Sequence, residues 1–327
     1  MRRLLMVGFV PCGLFVTCLW VLVRAGSFAG RSDWARVIPG NTSGQAGMLL
    51  ALTACTSLLA LLLQPFQVRA VRVLEGYWDR WSATAGLAGV LIEVQRRRWE
   101  ALRERAEGAA RGDTARRLRA DAGRRLKARP DVGVLLPTSL GNALRTGELS
   151  AGERYGLSTL ASWPRVYMQV SDRMSDTLSA ARDALDTSVN LCWSFLAVAV
   201  VSGIAVYDEV SLWWLWSGAL LLAAVAYKGA VIVAQAYSGL MHVVYDLHRF
   251  ELLDALHYPL PTDDQAEQEI FAAVSDRFIG QAAGPVSYDH DGGRSHSSVS
   301  RYSSHQPRPR SAPMSARAST SGWSVQS

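Results

Sequence analysis

The sequence has few of the residues that bind metals or form disulfides, and it lacks the common enzyme motifs. Its four cysteines all lie inside apolar runs, and no two of them form a CxxC pair. The 327 residues contain no GxxxxGK[ST] phosphate loop, no HExxH and no GxSxG. These absences disfavour zinc modules, disulfide scaffolds and the familiar soluble enzymes. We therefore assign no catalytic residue, no cofactor and no metal site. A membrane-embedded enzyme with ligands from separate helices stays open as a third hypothesis.

Lysine is also scarce, so arginine supplies nearly all of the positive charge. Lys127 and Lys228 are the only lysines among 34 basic residues, and the formal net charge is +6. A basic balance can indicate nucleic-acid binding, but such a surface needs more aromatic residues and fewer interleaved glutamates than this chain has. In a membrane protein it first indicates loops held beside anionic lipid. We expect no nucleic-acid partner.

Hydrophobic residues, 49% of the chain, are concentrated in four long runs. Each run is close to the length that a helix needs to cross the hydrocarbon core. The pattern predicts an all-α polytopic membrane protein with four transmembrane helices in two hairpins and a cytosolic helical region between them. The first run has a second interpretation, as a signal peptide cleaved after Ala29. The predicted spans cover residues 4–23, 47–64, 191–207 and 212–236.

The distribution of basic residues predicts the orientation in the plasma membrane. Three arginines lie between the first two runs, whereas 21 arginines or lysines lie between Gln64 and Asn190. Because cytosolic loops carry the excess of arginine and lysine, the long segment is predicted to be cytosolic, with both termini on the same side. Trp213, Trp214 and Trp216 lie at the level predicted for the headgroup layer on the non-cytosolic side of the membrane.

These boundaries divide the chain into five parts. The tail is rich in Ser, Gly, Pro and Arg, a composition that predicts disorder and offers serines near arginines for regulation. The parts are a first transmembrane hairpin (1–64), a cytosolic basic helical region (65–190), a second transmembrane hairpin (191–236), juxtamembrane and cytosolic helices (237–280) and a disordered tail (281–327).

Within the basic region, residues 87–110 follow the spacing of an amphipathic helix, and a second helix is predicted from Thr114 to Arg129. We expect the first helix to rest on the anionic inner leaflet. Arg98 and Arg105 interrupt its apolar stripe. The candidate lipid contacts are Arg96, Arg97, Arg98, Arg103 and Arg105.

Two ionisable positions invite more specific interpretations. Lys228 lies in the fourth run, where an ionisable side chain is a candidate for ion or proton movement. About twenty residues separate Leu212 from the far side of the bilayer, so a lysine snorkelling at the cytosolic end is the favoured interpretation. His242 and Asp246 lie one helical turn apart, but two ligands do not make a metal site. An interfacial helix with His242, Asp246 and Arg249 facing water or headgroups is favoured.

Two stretches carry a family resemblance. The first is LPTSLGNALR (136–145) with RYGL (154–157) and WPR (163–165), and the second is DLHRFELLDALHYPLP (246–261). They resemble a group of uncharacterised multi-pass membrane proteins of actinobacteria, over most of residues 47–280. The resemblance implies a membrane protein and no particular activity.

The first of these stretches is predicted to be a folded element. Thr138 or Ser139 would start a helix, Gly156 would stop it, and a Trp-Pro break would follow. The block could be a docking surface for a protein partner, or it could pack and cap the cytosolic region onto the membrane helices. The candidate docking residues are Arg145, Glu148, Glu153, Arg154, Tyr155 and Trp163.

These features favour a non-catalytic, membrane-anchored interaction or scaffolding component with an unidentified protein partner. A subunit of a small transporter or channel is the alternative. Apart from Lys228 and Gln235 the predicted spans are almost wholly apolar, which argues against a permeation path through a single copy. A homo-oligomer is compatible with the sequence.

Overall fold

The computed structural model describes residues 4–78, 82–109, 111–281 and 288, so nearly all of the predicted tail lies outside it. The described residues form helices and turns, without strands. This confirms the all-α prediction. The helices are α1 (Val10–Arg24), α2 (Thr42–Leu63), α3 (Gln67–Glu75), α4 (Ser82–Glu107), α5 (Asp113–Lys127), α6 (Ser139–Glu148), α7 (Thr159–Tyr167), α8 (Asp172–Ala205), α9 (Trp213–Ala255) and α10 (Asp264–Phe278).

Four helical stretches are long and apolar enough to cross a membrane, as predicted. They are Val7–Arg24, Thr42–Glu75, Asp172–Ala205 and Val210–Ala255. A hydrocarbon core needs only about 20 helical residues. The second, third and fourth stretches have 34, 34 and 46 residues, so each continues well beyond its apolar run.

Small residues allow α8 and α9 to pack closely along each other. The buried positions of α8 include Ala199, Ser202 and Ala205. Those of α9 include Ala219, Ala223, Ala230 and Ala234. Short side chains let two helix backbones approach, and where no water is present close packing is the main source of helix association. The α8–α9 pair therefore forms the centre of the molecule.

The loop after α1 is tied to the short connection between α8 and α9. The carboxylate of Glu209 accepts hydrogen bonds from the backbone N–H of Ser32 at 2.5 Å and from its hydroxyl at 2.9 Å. Leu22, Ala205 and Val206 are buried beneath these bonds. The tie fixes the end of α1 to the α8–α9 pair.

At the other end of α8 and α9, a helical body surrounds the parts that extend beyond the apolar runs. We use "body" for this layer of α3, α6, α7, α10 and the adjoining ends of α8 and α9. Its core contains the fully buried Leu140, Leu157, Tyr245 and Phe271. Burying such side chains contributes roughly 1.5–3 kcal/mol each. The body is thus a packed unit and not a loose connection between helices.

Helices α4 and α5 form an arm (residues 82–129) that leaves the body and returns to it at one narrow neck. The Thr138 hydroxyl donates to the Glu75 carbonyl at 2.8 Å. Gly76 has a φ of +96°, and a Cβ there would lie 2.9 Å from Pro137 Cδ. A Cβ on Gly141 would lie 2.0 Å from the same Glu75 carbonyl oxygen. The neck, formed by these five residues, holds the two ends of the arm segment together.

Several local predictions need correction. Pro164 does not break the chain, because it lies inside α7, whose buried Thr159, Ser162 and Val166 hold the helix against the body despite the cost of an interior proline. The spacing of Leu157, Leu160 and Trp163 predicts that Leu160 also packs inward, yet it is 63% exposed, because the side of α7 that faces the core carries Ser162 and Val166. The spacing of Asp264 and Glu267 predicts a capping box at the start of α10, but the cap is Asp263, which accepts from the Ala266 N–H at 2.9 Å.

Candidate functional site

Two of the candidate docking residues lie where the block 136–167 meets α9. The Arg154 guanidinium forms an ion pair with the Asp246 carboxylate and donates to the His242 carbonyl at 3.0 Å. The Tyr155 hydroxyl donates to the same carboxylate at 2.6 Å. Arg249, one turn further along α9, stacks on the Tyr155 ring at 4.2 Å. The predicted water-facing side of α9 is therefore occupied by the chain itself.

Arg249 also connects α9 to α10. Its guanidinium forms an ion pair with Glu267 at 2.8 Å, and the side chains are only 17% and 13% exposed. A buried pair is costly to break, because the remaining charge stays desolvated. This contact was not predicted from the sequence, because the two residues lie on different helices and the path of the turn between α9 and α10 decides whether they meet.

Glu153 acts inside the block by holding the first turn of α7. Its carboxylate accepts from the Thr159 backbone N–H at 3.0 Å and from the Thr159 hydroxyl at 2.6 Å. The Thr159 hydroxyl oxygen in turn accepts from the Gly152 N–H at 2.7 Å. A carboxylate at a helix N-terminus satisfies free N–H groups and favours the helix dipole.

A serine–histidine contact joins the end of α6 to α9. Ser150 Oγ lies 3.0 Å from His242 Nε2, and His242 Nδ1 lies 2.8 Å from the Ser238 carbonyl oxygen. With Nδ1 protonated and donating to that carbonyl, Nε2 can accept the serine proton, as in a nucleophile–base pair. The Ser150 hydroxyl also contacts the Thr146 carbonyl, an acceptor that competes for the same proton. We interpret the contact as a tie between two helices.

Trp163 packs in the aromatic part of the body core. Its ring centroid lies 5.8 Å from that of Tyr167 and 6.1 Å from that of Tyr245. Tyr245 is fully buried, and its hydroxyl donates to the Thr159 carbonyl at 3.1 Å. Offset aromatic pairs add to the stabilisation from buried area. Trp163 is thus a half-buried packing residue.

Arg145 and Glu148 lie on α6 close to the neck. Burial raises the pKa of the Glu148 carboxyl, and the nearby Arg145 and Arg72 only partly offset that effect. Burial and the carboxylates of Glu148 and Glu75 raise the pKa of Tyr77. These charged groups come from the two chain segments that meet at the neck, so the charges of α3 and α6 interact close to it.

The six candidate docking residues therefore all lie within or against the body. A docking role for them stays a prediction, because no partner is present. Their contacts favour the alternative that was stated with it, in which the block packs and caps the body onto α9.

The arm carries the densest charge of the molecule. Residues 82–129 contain thirteen Arg or Lys and six Asp or Glu. On α4, Arg96, Arg97 and Arg103 form ion pairs with Glu100, Glu93 and Glu107, respectively. The paired side borders a groove of about 430 Å³ that includes Trp99. In the described part of the chain, Arg98 and Arg105 form no ion pair.

The two polar residues singled out in the fourth apolar run lie on the outer surface of α9. Lys228 and Gln235 are both exposed on α9, seven residues apart and thus on one face. An outward lysine agrees with the snorkelling interpretation, and neither residue lines a path between α8 and α9. Over the residues with described positions, no three His, Cys, Asp or Glu side chains gather as metal ligands.

Comparison of the chain with protein-family models, with curated proteins and with solved structures finds no match. The resemblance to the actinobacterial group therefore stays a prediction.

Proposed function

We propose that this chain is a non-catalytic, membrane-anchored interaction or scaffolding component. Four helices cross the plasma membrane in two hairpins, and the body, the arm and both termini lie in the cytosol. In this proposal the body is a rigid support and the arm is the part that contacts other molecules. The alternative, a small transporter or channel subunit, gains no support from the outward-facing Lys228 and Gln235.

The neck is the observation that carries this proposal. A segment of about sixty residues between Gly76 and Pro137 starts and ends at one point, where the Thr138–Glu75 hydrogen bond closes it. Such an insertion adds a separate surface without interrupting the body core. Gln95 of the arm also donates to the Pro137 carbonyl of the neck and to the Ser139 hydroxyl at the start of α6, both at 3.4 Å. A pair of charged helices attached to a packed body is better suited to binding other molecules than to catalysis.

Deleting the arm should remove partner binding and spare the body. Because Gly76 and Pro137 are in contact, a linker of about four glycines can replace residues 78–134 and keep the buried Leu136, whose N–H and carbonyl are hydrogen-bonded to the Asn142 side chain. We expect the purified variant to keep an unfolding temperature close to that of the full chain in mild detergent. Proteins that co-purify with the full chain, identified by mass spectrometry, should be lost from the variant.

The control keeps the arm and changes only the body surface. Met168→Ala removes a side chain that is 77% exposed beside α7, and it should leave both stability and partner recovery unchanged. Full partner recovery by a well-folded arm deletion would contradict the proposal. A stable homo-oligomer as the only product, in which Lys228 and Gln235 meet at an axis, would favour the channel alternative.

A further inference from the structure

One strip of α4 is apolar at its start and basic at its end. Leu87, Val90, Val94, Arg98 and Arg105 follow at intervals of three, four, four and seven residues, which places them on one helix face. Leu87, Val90 and Val94 are 53%, 64% and 38% exposed. Three adjacent exposed aliphatic side chains are unusual on a helix that is otherwise charged.

The same strip holds the two arginines of α4 that are not neutralised. Arg96 and Arg103 turn to the other side of the helix, where each meets a glutamate, whereas Arg97 lies at the edge of the strip, seven residues after Val90, and pairs with Glu93. Arg98 and Arg105 have no acidic partner within ion-pair distance among the described residues. An unpaired guanidinium keeps its full charge and its donors available for an external anion.

Helix α5 adds further positive charge beside Arg98. Burial lowers the pKa of Arg129, and the nearby Arg98 and Arg125 lower it further. Arg125 is partly neutralised by Asp121 at 2.8 Å, whereas Arg129 has no ion pair among the described residues. The guanidinium groups of both helices thus repel one another, and an anion placed between them would relieve the repulsion.

The membrane to which this chain belongs is the surface that fits the strip. Helix α3, which joins the second apolar helix to the arm, has nine residues and is about 14 Å long. The apolar start of α4 therefore stays close along the chain to the point where α2 leaves the bilayer. An anionic bilayer presents hydrocarbon beneath a layer of phosphates, which matches aliphatic side chains followed by unpaired arginines.

We propose that this strip of α4, with Arg125 and Arg129 beside it, docks the arm onto the anionic phospholipids of the same membrane. This inference rests on the proposed function, because it names the surface that the arm contacts. It also narrows the predicted set of lipid contacts. Arg98 and Arg105 are its main members, because Arg96, Arg97 and Arg103 are paired with glutamates.

Site-specific photocrosslinking of the full chain tests the proposal. Photoreactive benzoylphenylalanine replaces Val90 on the strip or, as a matched control on the same helix, Glu100, which lies off the strip and pairs with Arg96. The proteins are placed in nanodiscs of phosphatidylcholine, with or without phosphatidylglycerol, and lipid adducts are measured by mass spectrometry. With phosphatidylglycerol present, we expect at least about five times more adduct at position 90 than at position 100.

Two changes should lower the adduct at position 90. The first is the omission of phosphatidylglycerol, which removes the anionic surface. The second is the double substitution Arg98→Gln with Arg105→Gln, which removes the unpaired charges. Each of these two arginines contributes up to about five-fold in affinity for the anionic surface. Arg96→Gln with Arg103→Gln is the matched control and should have little effect, because those arginines are paired with glutamates on the side away from the strip.

Equal yields of lipid adduct at positions 90 and 100 would overturn the proposal. So would a yield at position 90 that changes neither when phosphatidylglycerol is omitted nor when Arg98 is substituted. So would a protein adduct in place of lipid at position 90 in native membranes. The arm deletion measures partner recovery and this experiment measures lipid contact, so the proposed function and this inference can fail independently.

Discussion

Replacing Trp163 with alanine should lower the stability of the body by about 3 kcal/mol, the lower end of the range for removing a large core aromatic. The indole packs against Tyr167 and against the fully buried Tyr245, so its loss leaves a cavity beside a hydroxyl that is hydrogen-bonded inside the core. Trp163 is only half buried, which keeps the effect at that lower end. Thermal unfolding in detergent measures the change as a clearly lower unfolding temperature.

Leu160→Ala is the matched control for Trp163→Ala. Leu160 lies on the same helix, three residues earlier, and is 63% exposed, so its truncation should change the unfolding temperature little. A docking role for Trp163 makes the opposite prediction, in which Trp163→Ala spares stability and abolishes co-purification of the partner. If neither stability nor partner recovery changes, the packed block described above is wrong.

Replacing Gly141 with alanine should open the neck. The new methyl group would lie 2.0 Å from the Glu75 carbonyl oxygen and 2.8 Å from Leu136 Cδ1, so α3 and α6 must separate. Overpacking costs typically 1–3 kcal/mol and occasionally more. Because the obstacle includes backbone, which cannot rotate away, we expect a loss of at least about 2 kcal/mol after the gain in helix propensity of about 1 kcal/mol.

Gly123→Ala supplies a control of opposite sign. Gly123 lies within α5, and nothing lies within 4 Å of a Cβ built there, so alanine should stabilise that helix by up to about 1 kcal/mol. Limited proteolysis adds a local measure, since an opened neck should speed cleavage between the body and the arm for Gly141→Ala only. Equal unfolding temperatures for the two variants would contradict the closed neck.

The apolar helices could be predicted because their cause is local. A run of about twenty apolar residues carries its own signal, and all four runs form helices. The start of α6 could also be predicted, because Thr138 is a favourable capping residue and accepts from the Gly141 N–H at 3.0 Å. The extension of α8 before residue 191 was missed, although Met174, Leu178, Leu185 and Val189 stand at helical spacing.

The contacts of the candidate site could not be predicted because they join residues far apart in sequence. Asp246 meets Arg154 and Tyr155 across about ninety residues, and Thr138 meets Glu75 across 63. Periodicity shows that α9 has a polar side near residue 246, but it does not show whether water or another helix covers that side. The order in which α3, α6 and α7 pack on α8 and α9 decides this.

Cysteine accessibility tests most directly whether the four apolar helices cross the membrane with the body and arm in the cytosol. Single cysteines replace Ser43, at the start of α2, or Glu104, exposed on the arm, in a background without the four native cysteines. The account predicts that an impermeant thiol reagent applied to intact cells labels Ser43→Cys, and labels Glu104→Cys only after the cells are permeabilised. Labelling of Glu104→Cys in intact cells, with Ser43→Cys protected, would contradict it.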